Sequence, residues 1–264
     1  MPSPSSVTVR PAPGFPAPRG GSGRVLLLPG LAGGARIWQP LAARLRGTCD
    51  VYEAALPWNS GGRPDWALSG DPVAALGAAI DGVDGGRCDV VVAHSYAATL
   101  ALHHLARRPA GPPPALMLIS PFYRAHPTDF EWSDITYYLN DFHRILEAGL
   151  TVRSGGRVSG ELLRDLGARL REVIGPYGWM RFFDAYLQTA SLDLSAWPGP
   201  VVVVAGADDF AARPSDAEAL SRHLPHAVLH VLADCGHFPM AERPDEVAAL
   251  LLAHCLPTRD QELR

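Results

Sequence analysis

The stretch around Ser95 constrains the fold more than any other part of the chain. A β-branched run, Val90–Val92, leads through two further residues to Ser95, and an Ala/Leu-rich helical pattern over 96–107 follows at once. A serine at a tight strand-to-helix turn is held in a strained backbone conformation that exposes its hydroxyl above the sheet. Strand and helix approach closely there, and the small residues Ala93 and Ala97 permit this. The pattern predicts a nucleophilic serine; the alternative is that Ser95 only caps the helix.

Partners for a reactive serine follow it in the order acid, then histidine. Asp208 and Asp209 come directly after the apolar run Val201–Ala205, and His237 lies in a loop before the last helical stretch. The order serine, acid, histidine is the order found in one class of catalytic triad. We therefore expect His237 to be the base and one of the two aspartates to be the acid. Cys235 is not favoured as a nucleophile, because the serine occupies the turn.

These residues resemble the α/β-hydrolase superfamily, and the resemblance covers residues 24 to about 256. The sequence Gly-Ala-Asp-Asp ending at Asp209 is similar to the Gly-x-x-Asp turn of the family, which implies that Asp209 is the acid and Asp208 the runner-up. Gly236–Pro244 is similar to the G-H-x-x-x-x-E-x-P segment that contains the family histidine. The resemblance therefore implies that His237 is the base.

The resemblance also implies an oxyanion hole made of backbone N–H groups. The loop Pro29–Gly34 follows an early apolar strand, and it has Pro29 where many members of the family have histidine. The donors that the resemblance implies are the N–H groups of Leu31 and Tyr96. Each such donor stabilises the transition state by about 3 kcal/mol. Since both donors belong to the backbone, Pro29 is compatible with the hole.

Strand-like and helix-like patterns alternate along the chain, which is typical of α/β proteins. We expect an α/β-hydrolase fold, with a mainly parallel sheet and helices on both faces. The strands are predicted at 24–28, 49–54, 88–93, 115–119, 200–205 and 227–232. The helices of the core are predicted at 36–46, 72–83, 96–107, 214–223 and 243–255.

About eighty residues between two of these strands show helical periodicity of their own. By resemblance, this insertion is a helical lid over the active site. The predicted pieces lie near 130–149, 159–174 and 176–190. The sequence thus predicts a core over 23–120 and 199–258 and a lid over 121–198.

Many of the aromatic residues of the chain fall in this insertion. Most of them are expected to hold the small core of the lid and its contact with the sheet. The remainder are expected to line a pocket that prefers an apolar or aromatic substrate. The pocket walls predicted from the sequence are Trp58, Phe122, Tyr138, Trp179 and Phe183.

Composition excludes several classes of function. The net charge of −4 gives no basic surface for nucleic acid. All 23 basic residues are arginines, so no lysine can form a Schiff base or anchor pyridoxal phosphate. His223, His226 and His230 fall on a helix end, a loop and a strand, so no metal site is predicted from them. We expect no cofactor and no metal.

The predicted location is the cytoplasm, in a bacterium with a GC-rich genome. Residues 1–22 are rich in Pro, Ser and Gly and lack a charged region followed by an apolar one, so they are predicted to be a disordered extension rather than a signal peptide. The four cysteines show no C-x-x-C spacing, which favours free thiols. No apolar run approaches the ~20 residues of a membrane span.

The resemblance and the three candidate residues together predict hydrolysis of a carboxylic ester or thioester through a Ser95 acyl-enzyme. The expected partner is a small-molecule substrate, with an acyl carrier protein possible for a thioesterase. A cofactor-free C–C bond hydrolase, lyase or cyclase would use the same triad, and a silent ligand-binding member would retain it. An epoxide hydrolase or dehalogenase of this fold needs a carboxylate where Ser95 stands.

Overall fold

A computed structural model describes residues 7–15, 23–62, 64–68, 70–107, 113–195 and 197–256 of the chain. Within these residues seven strands form one sheet in the order β1-β3-β2-β4-β5-β6-β7. β1 is antiparallel to β3, and the remaining neighbours are parallel. The strands are β1 Thr8–Pro11, β2 Arg24–Leu28, β3 Asp50–Ala55, β4 Val90–His94, β5 Ala115–Ile119, β6 Val201–Gly206 and β7 Ala227–Leu232.

The central strands are buried on both faces. Every residue of β4, β5 and β6 is buried, which explains their continuous runs of Val, Leu and Ile. The six strands predicted from the sequence are present, with ends shifted by at most two residues. The sheet and its flanking helices confirm the predicted fold class.

The helices are α1 Gln39–Leu45, α2 Pro72–Asp81, α3 Tyr96–Ala106, α4 Trp132–Ser154, α5 Gly160–Gln188, α6 Pro214–His223, α7 Pro239–Glu242 and α8 Pro244–His254. Several begin with proline, whose missing N–H costs nothing in the first turn. A short 3-10 turn, Ala35–Trp38, precedes α1. No helix in the described part of the chain is long and apolar enough to cross a membrane.

The prediction of a disordered segment over 1–22 is wrong for Thr8–Pro11. These residues form β1, which pairs with β3 along its whole length. The strand is short and only half-buried at Val9, so its sequence carries little apolar alternation. Its backbone hydrogen bonds come from the free edge of β3, which a local pattern does not reveal. Residues 1–6 and 16–22 lie outside the described residues.

The segment between β5 and β6 consists of the two long helices α4 and α5, which pack against each other. Gly175 interrupts α5 with φ 65° and ψ 169°, and Pro176 follows it. A residue before proline is disfavoured in the helical region, and glycine accepts the positive φ. The two parts of α5 therefore correspond to the two predicted pieces near 159–174 and 176–190.

Candidate active site

Ser95 lies between β4 and α3 in a conformation that few residues other than glycine adopt. Its φ is 56° and its ψ is −122°. Such strain persists only where the surroundings determine the backbone, and here the Ser95 N–H donates to Ile119 O at 2.9 Å. A Cβ built on Gly30 would lie 2.8 Å from Ser95 Cβ. The turn is thus fixed by close packing, as the small residues around it predict.

His237 connects Ser95 to Asp209. Its Nε2 lies 3.1 Å from Ser95 Oγ, and its Nδ1 lies 2.9 Å from Asp209 Oδ2. All three residues are buried, with exposures of 7% or less. An ionised carboxylate only accepts hydrogen bonds, so Nδ1 bears the proton and Nε2 is free to accept the serine proton. The structure therefore places the three residues in the geometry of a proton relay from Ser95.

Asp209 is the aspartate that contacts His237, while Asp208 is exposed. Burial opposes ionisation of Asp209, but the electrostatic interaction and the hydrogen bond with His237 outweigh it. The backbone N–H of Ala211 also donates to the carboxylate, and the pKa of Asp209 falls below its ordinary value. The carboxylate is consequently charged where it holds the imidazole.

The loop that contains His237 is held by two residues for which the sequence suggested no role. Glu242 accepts hydrogen bonds from the N–H groups of Gly236 at 2.8 Å and Phe238 at 2.9 Å. His94 Nε2 donates to His237 O at 2.8 Å. Burial, and then the charge of His237, lower the pKa of His94 to about 3. His94 is therefore neutral, and its position directly before Ser95 connects the serine turn to the histidine loop.

The two residues whose N–H groups are predicted to form the oxyanion hole, Leu31 and Tyr96, both lie next to Ser95. Tyr96 is the first residue of α3, so its N–H has no acceptor within the helix. In the Pro29–Gly34 loop, the Ala32 N–H donates to Trp58 O at 2.9 Å and the Gly33 N–H donates to Gly30 O at 2.9 Å. Leu31, between them, lines the cavity next to Ser95. The role of these two N–H groups as oxyanion donors stays a prediction from the family resemblance.

A cavity of about 50 Å³, room for a few water molecules, opens onto Ser95 and His237. One wall is the Pro29–Gly34 loop with Ile37, and another is Phe238 beside His94. The opposite wall comes from the inserted helices and is mostly aliphatic. It consists of Ile145, Leu146, Gly149, Leu150 and Arg153 of α4 and Leu170 of α5.

None of the five residues predicted as pocket walls lines this cavity. Trp58 is buried behind the serine turn, where its Nε1 donates to Pro29 O at 3.0 Å and its ring lies 5.4 Å from that of Tyr96. Phe122 packs its ring 5.7 Å from the His237 ring. Both residues support the site from within the core, which corrects the predicted role of each.

The other three predicted wall residues hold the inserted helices together. Trp179 and Phe183 stack with ring centroids 4.9 Å apart on α5. The Tyr138 hydroxyl donates to Ala211 O at 3.1 Å, and its ring contacts Phe183. Aromatic character identified residues that pack against other side chains, but not which face of the inserted helices they occupy. The cavity-lining residues of α4 instead follow a helical period, 145, 146, 149, 150 and 153, which places them on one face.

No group of His, Cys, Asp or Glu side chains suited to a metal ion occurs among the described residues. The four cysteines are free thiols, and Cys235, near His237, is buried. Burial raises the pKa of the Cys235 thiol to about 12. Cys235 is therefore a poor nucleophile, and Ser95 is the nucleophile candidate at this site.

Residues 25–250 match the sequence model of the alpha/beta hydrolase family. No protein with a curated description matches the chain. Three similar solved structures are Est816, described as an N-acyl homoserine lactone degrading enzyme, a meta-cleavage product hydrolase from Pseudomonas fluorescens IP01, and the esterase RhEst1 from Rhodococcus sp. ECU1013.

The three structures have TM-scores of 0.64, 0.60 and 0.64 and sequence identities of 19%, 18% and 17%. Each alignment covers 94% of this chain, and it covers 96%, 93% and 93% of the respective other chain. At these identities the likeness establishes the fold and leaves the substrate open.

Proposed function

Because the chain belongs to the alpha/beta hydrolase family, we propose that it is a serine hydrolase that cleaves a carboxylic ester or thioester with an apolar chain. The observation that carries the proposal is the unbroken set of contacts from Asp209 through His237 to Ser95. The apolar chain is inferred from Ile145, Leu146 and other aliphatic residues that face Ser95 across the cavity.

The proposed reaction begins when Ser95 Oγ attacks the carbonyl carbon and its proton passes to His237 Nε2. Asp209 holds the imidazole in the reactive tautomer and stabilises its positive charge. The N–H groups of Leu31 and Tyr96 bind the oxygen that becomes negatively charged. His237 then protonates the leaving alcohol or thiol, and the acyl group stays on Ser95.

Water completes the reaction. His237 removes a proton from the water as it attacks the acyl carbon, and the tetrahedral intermediate collapses to release the carboxylic acid and restore the Ser95 hydroxyl. Both half-reactions use the same groups in reverse order, so one buried imidazole suffices for both.

The test compares wild-type protein with the Ser95→Ala variant. We expect a fluorophosphonate probe to label the wild type and not the variant. On a panel of p-nitrophenyl esters and acyl thioesters, the kcat of the variant should be lower than that of the wild type by about 10⁴-fold or more. The melting temperature should hardly change, because the serine hydroxyl contacts His237 and fills little volume. Near wild-type turnover by the folded variant would refute the assignment of Ser95 as the nucleophile.

The panel also separates the alternatives. A probe-reactive protein that cleaves neither esters nor thioesters points to a C–C bond hydrolase, lyase or cyclase that uses the same triad. A protein whose Ser95 does not react with the probe is a ligand-binding member of the family. Either result would replace the ester and thioester proposal.

A further inference from the structure

The cavity wall formed by α4 ends in a positive charge. Ile145, Leu146, Gly149 and Leu150 are followed on the same face by Arg153, which also lines the cavity. Arg153 is exposed while Ile145 and Leu146 are buried, so it lies where the cavity meets solvent. From Ile145 to Arg153 the helix rises by about 12 Å at 1.5 Å per residue. The wall thus leads from an apolar interior to a cationic mouth.

A second arginine is next in sequence to a residue that lines the cavity. Arg36 is exposed and directly precedes Ile37, which lines the cavity. Partial burial, and then the charge of Arg36, lower the pKa of Arg153, so each guanidinium lies within the field of the other. Among the described residues, neither Arg36 nor Arg153 has a carboxylate within ion-pair distance.

The position of Arg153 near the end of α4 explains only in part why a positive charge lies there. A cation in the last turn of a helix is stabilised by the helix dipole. That effect does not require the side chain to face the cavity, and it does not offset repulsion from Arg36. Two like charges that have no counter-ion in the described part of the chain gain most from an external anion.

We propose that Arg153 and Arg36 bind an oxyanion, a carboxylate or a phosphate, at the outer end of the substrate. The inference rests on the proposed function and specifies its substrate: an ester whose carbonyl lies at Ser95, whose apolar chain runs along α4, and whose far end is anionic. A guanidinium donates two parallel hydrogen bonds to such a group, which adds geometric selectivity to the attraction of charge.

The experiment uses p-nitrophenyl half-esters of glutaric, adipic, suberic and sebacic acid, each paired with its ω-methyl ester. The paired substrates differ at the far end only, where one is anionic and the other neutral. We expect the wild type to favour the best anionic half-ester over its neutral partner by about tenfold in kcat/KM, mainly through KM. Added salt should reduce this preference.

The Arg153→Gln variant should abolish the preference, because kcat/KM falls far more for the anionic half-ester than for its neutral partner. Arg153→Lys should restore part of it. The matched control is Arg157→Gln, which removes the same charge from an exposed residue just beyond α4 that does not line the cavity. We expect the control to retain the wild-type preference. An ω-phosphate series distinguishes a phosphate-selective site from a carboxylate-selective one.

Equal use of anionic and neutral esters by the wild type would overturn the inference and leave the proposed function intact. A preference that survives in both Arg153→Gln and Arg36→Gln would also overturn it. If no ester is cleaved and Ser95 does not react with the probe, the proposed function fails. In that case, calorimetry compares the affinity of suberate monoanilide for Ser95→Ala with its affinity for the double variant Ser95→Ala/Arg153→Gln. Equal affinities would refute the anion site.

Discussion

Replacement of Asp209 by asparagine tests the relay, because the surroundings dictate how the new amide is oriented. Asp209 Oδ1 accepts hydrogen bonds from the N–H groups of Ala211 at 2.9 Å and Ala212 at 3.0 Å. These donors hold the amide oxygen, since only that atom of an amide accepts. The amide nitrogen then occupies the place of Oδ2, 2.9 Å from His237 Nδ1, and donates to it. Although Oδ1 also lies 3.1 Å from Nδ1, the nearer partner of Nδ1 becomes a donor, which favours the imidazole with its proton on Nε2. In that tautomer the imidazole can no longer accept the Ser95 proton.

The wrong tautomer costs about 10⁴-fold in kcat in a serine triad. This loss corresponds to about 5.5 kcal/mol of transition-state stabilisation, at about 1.4 kcal/mol for each factor of ten. The fold should survive, because the amide retains its hydrogen bonds to Ala211, Ala212 and His237. We expect Asp209→Asn to melt cooperatively while both ester turnover and the rate of Ser95 labelling by a fluorophosphonate collapse.

The adjacent Asp208 supplies the control. It is exposed and of the same residue type, so Asp208→Asn changes the net charge by the same amount without touching His237. We expect its turnover to stay close to that of the wild type. Activity of Asp209→Asn within about tenfold of the wild type would refute the tautomer argument. The reverse ranking of the two variants would move the acid to Asp208.

One further prediction concerns the inserted helix α4, and another concerns a buried carboxylate on α6. In Gly149→Ala the new Cβ would lie 2.9 Å from Phe238 Cζ, so the ring beside His237 must shift. We expect kcat to fall even though alanine favours the helix. An unchanged kcat would show that Phe238 moves freely. Burial raises the pKa of Asp216 to about 6 even though the charge of Arg124 opposes the shift. The protonated side chain therefore favours the folded state, and this contribution to the free energy of unfolding is lost as pH rises from the ordinary pKa of 3.8 through 6. The free energy of unfolding, measured by urea denaturation, should fall over this pH range by up to about 3 kcal/mol less in Asp216→Asn than in the wild type. The same pH dependence in both proteins would contradict the assignment.

The sequence predicted those parts of the fold and site that depend on local patterns. The apolar runs that became β4 and β6 are long enough to be recognised alone, and each is followed within three residues by a residue of the site, Ser95 or Asp209. The family motif places His237 after β7. Parallel strands bring their carboxyl ends to one edge of the sheet, so these separate positions meet.

The cavity walls were predicted wrongly because they depend on how α4 packs rather than on residue type. The aromatic side chains of Trp179 and Phe183 stack on each other along α5 and do not line the cavity. Ile145, Leu146 and Leu150 line the cavity instead, and aliphatic residues of this kind are common on the buried face of any helix. Only the tertiary contact of Gly149 with Phe238 identifies the face that points towards Ser95.

The two ends of α4 are attached to the rest of the protein differently, which affects how a substrate enters. Near its start, Tyr137 donates to Phe210 O at 2.6 Å and Asp134 pairs with Arg124 at 3.1 Å, so this end is fixed to the loop beside Asp209. Such buried polar contacts are costly to break.

At its other end, α4 lies over a cavity of about 50 Å³, too small for an apolar ester together with its far-end anion. We expect the cavity to open at the end that contains Arg153, where exposed side chains and the left-handed Gly155 at φ 59° end the helix. The contacts of Tyr137 and Asp134 lie at the opposite end of α4, so an opening at Arg153 would leave the contact between Asp209 and His237 in place.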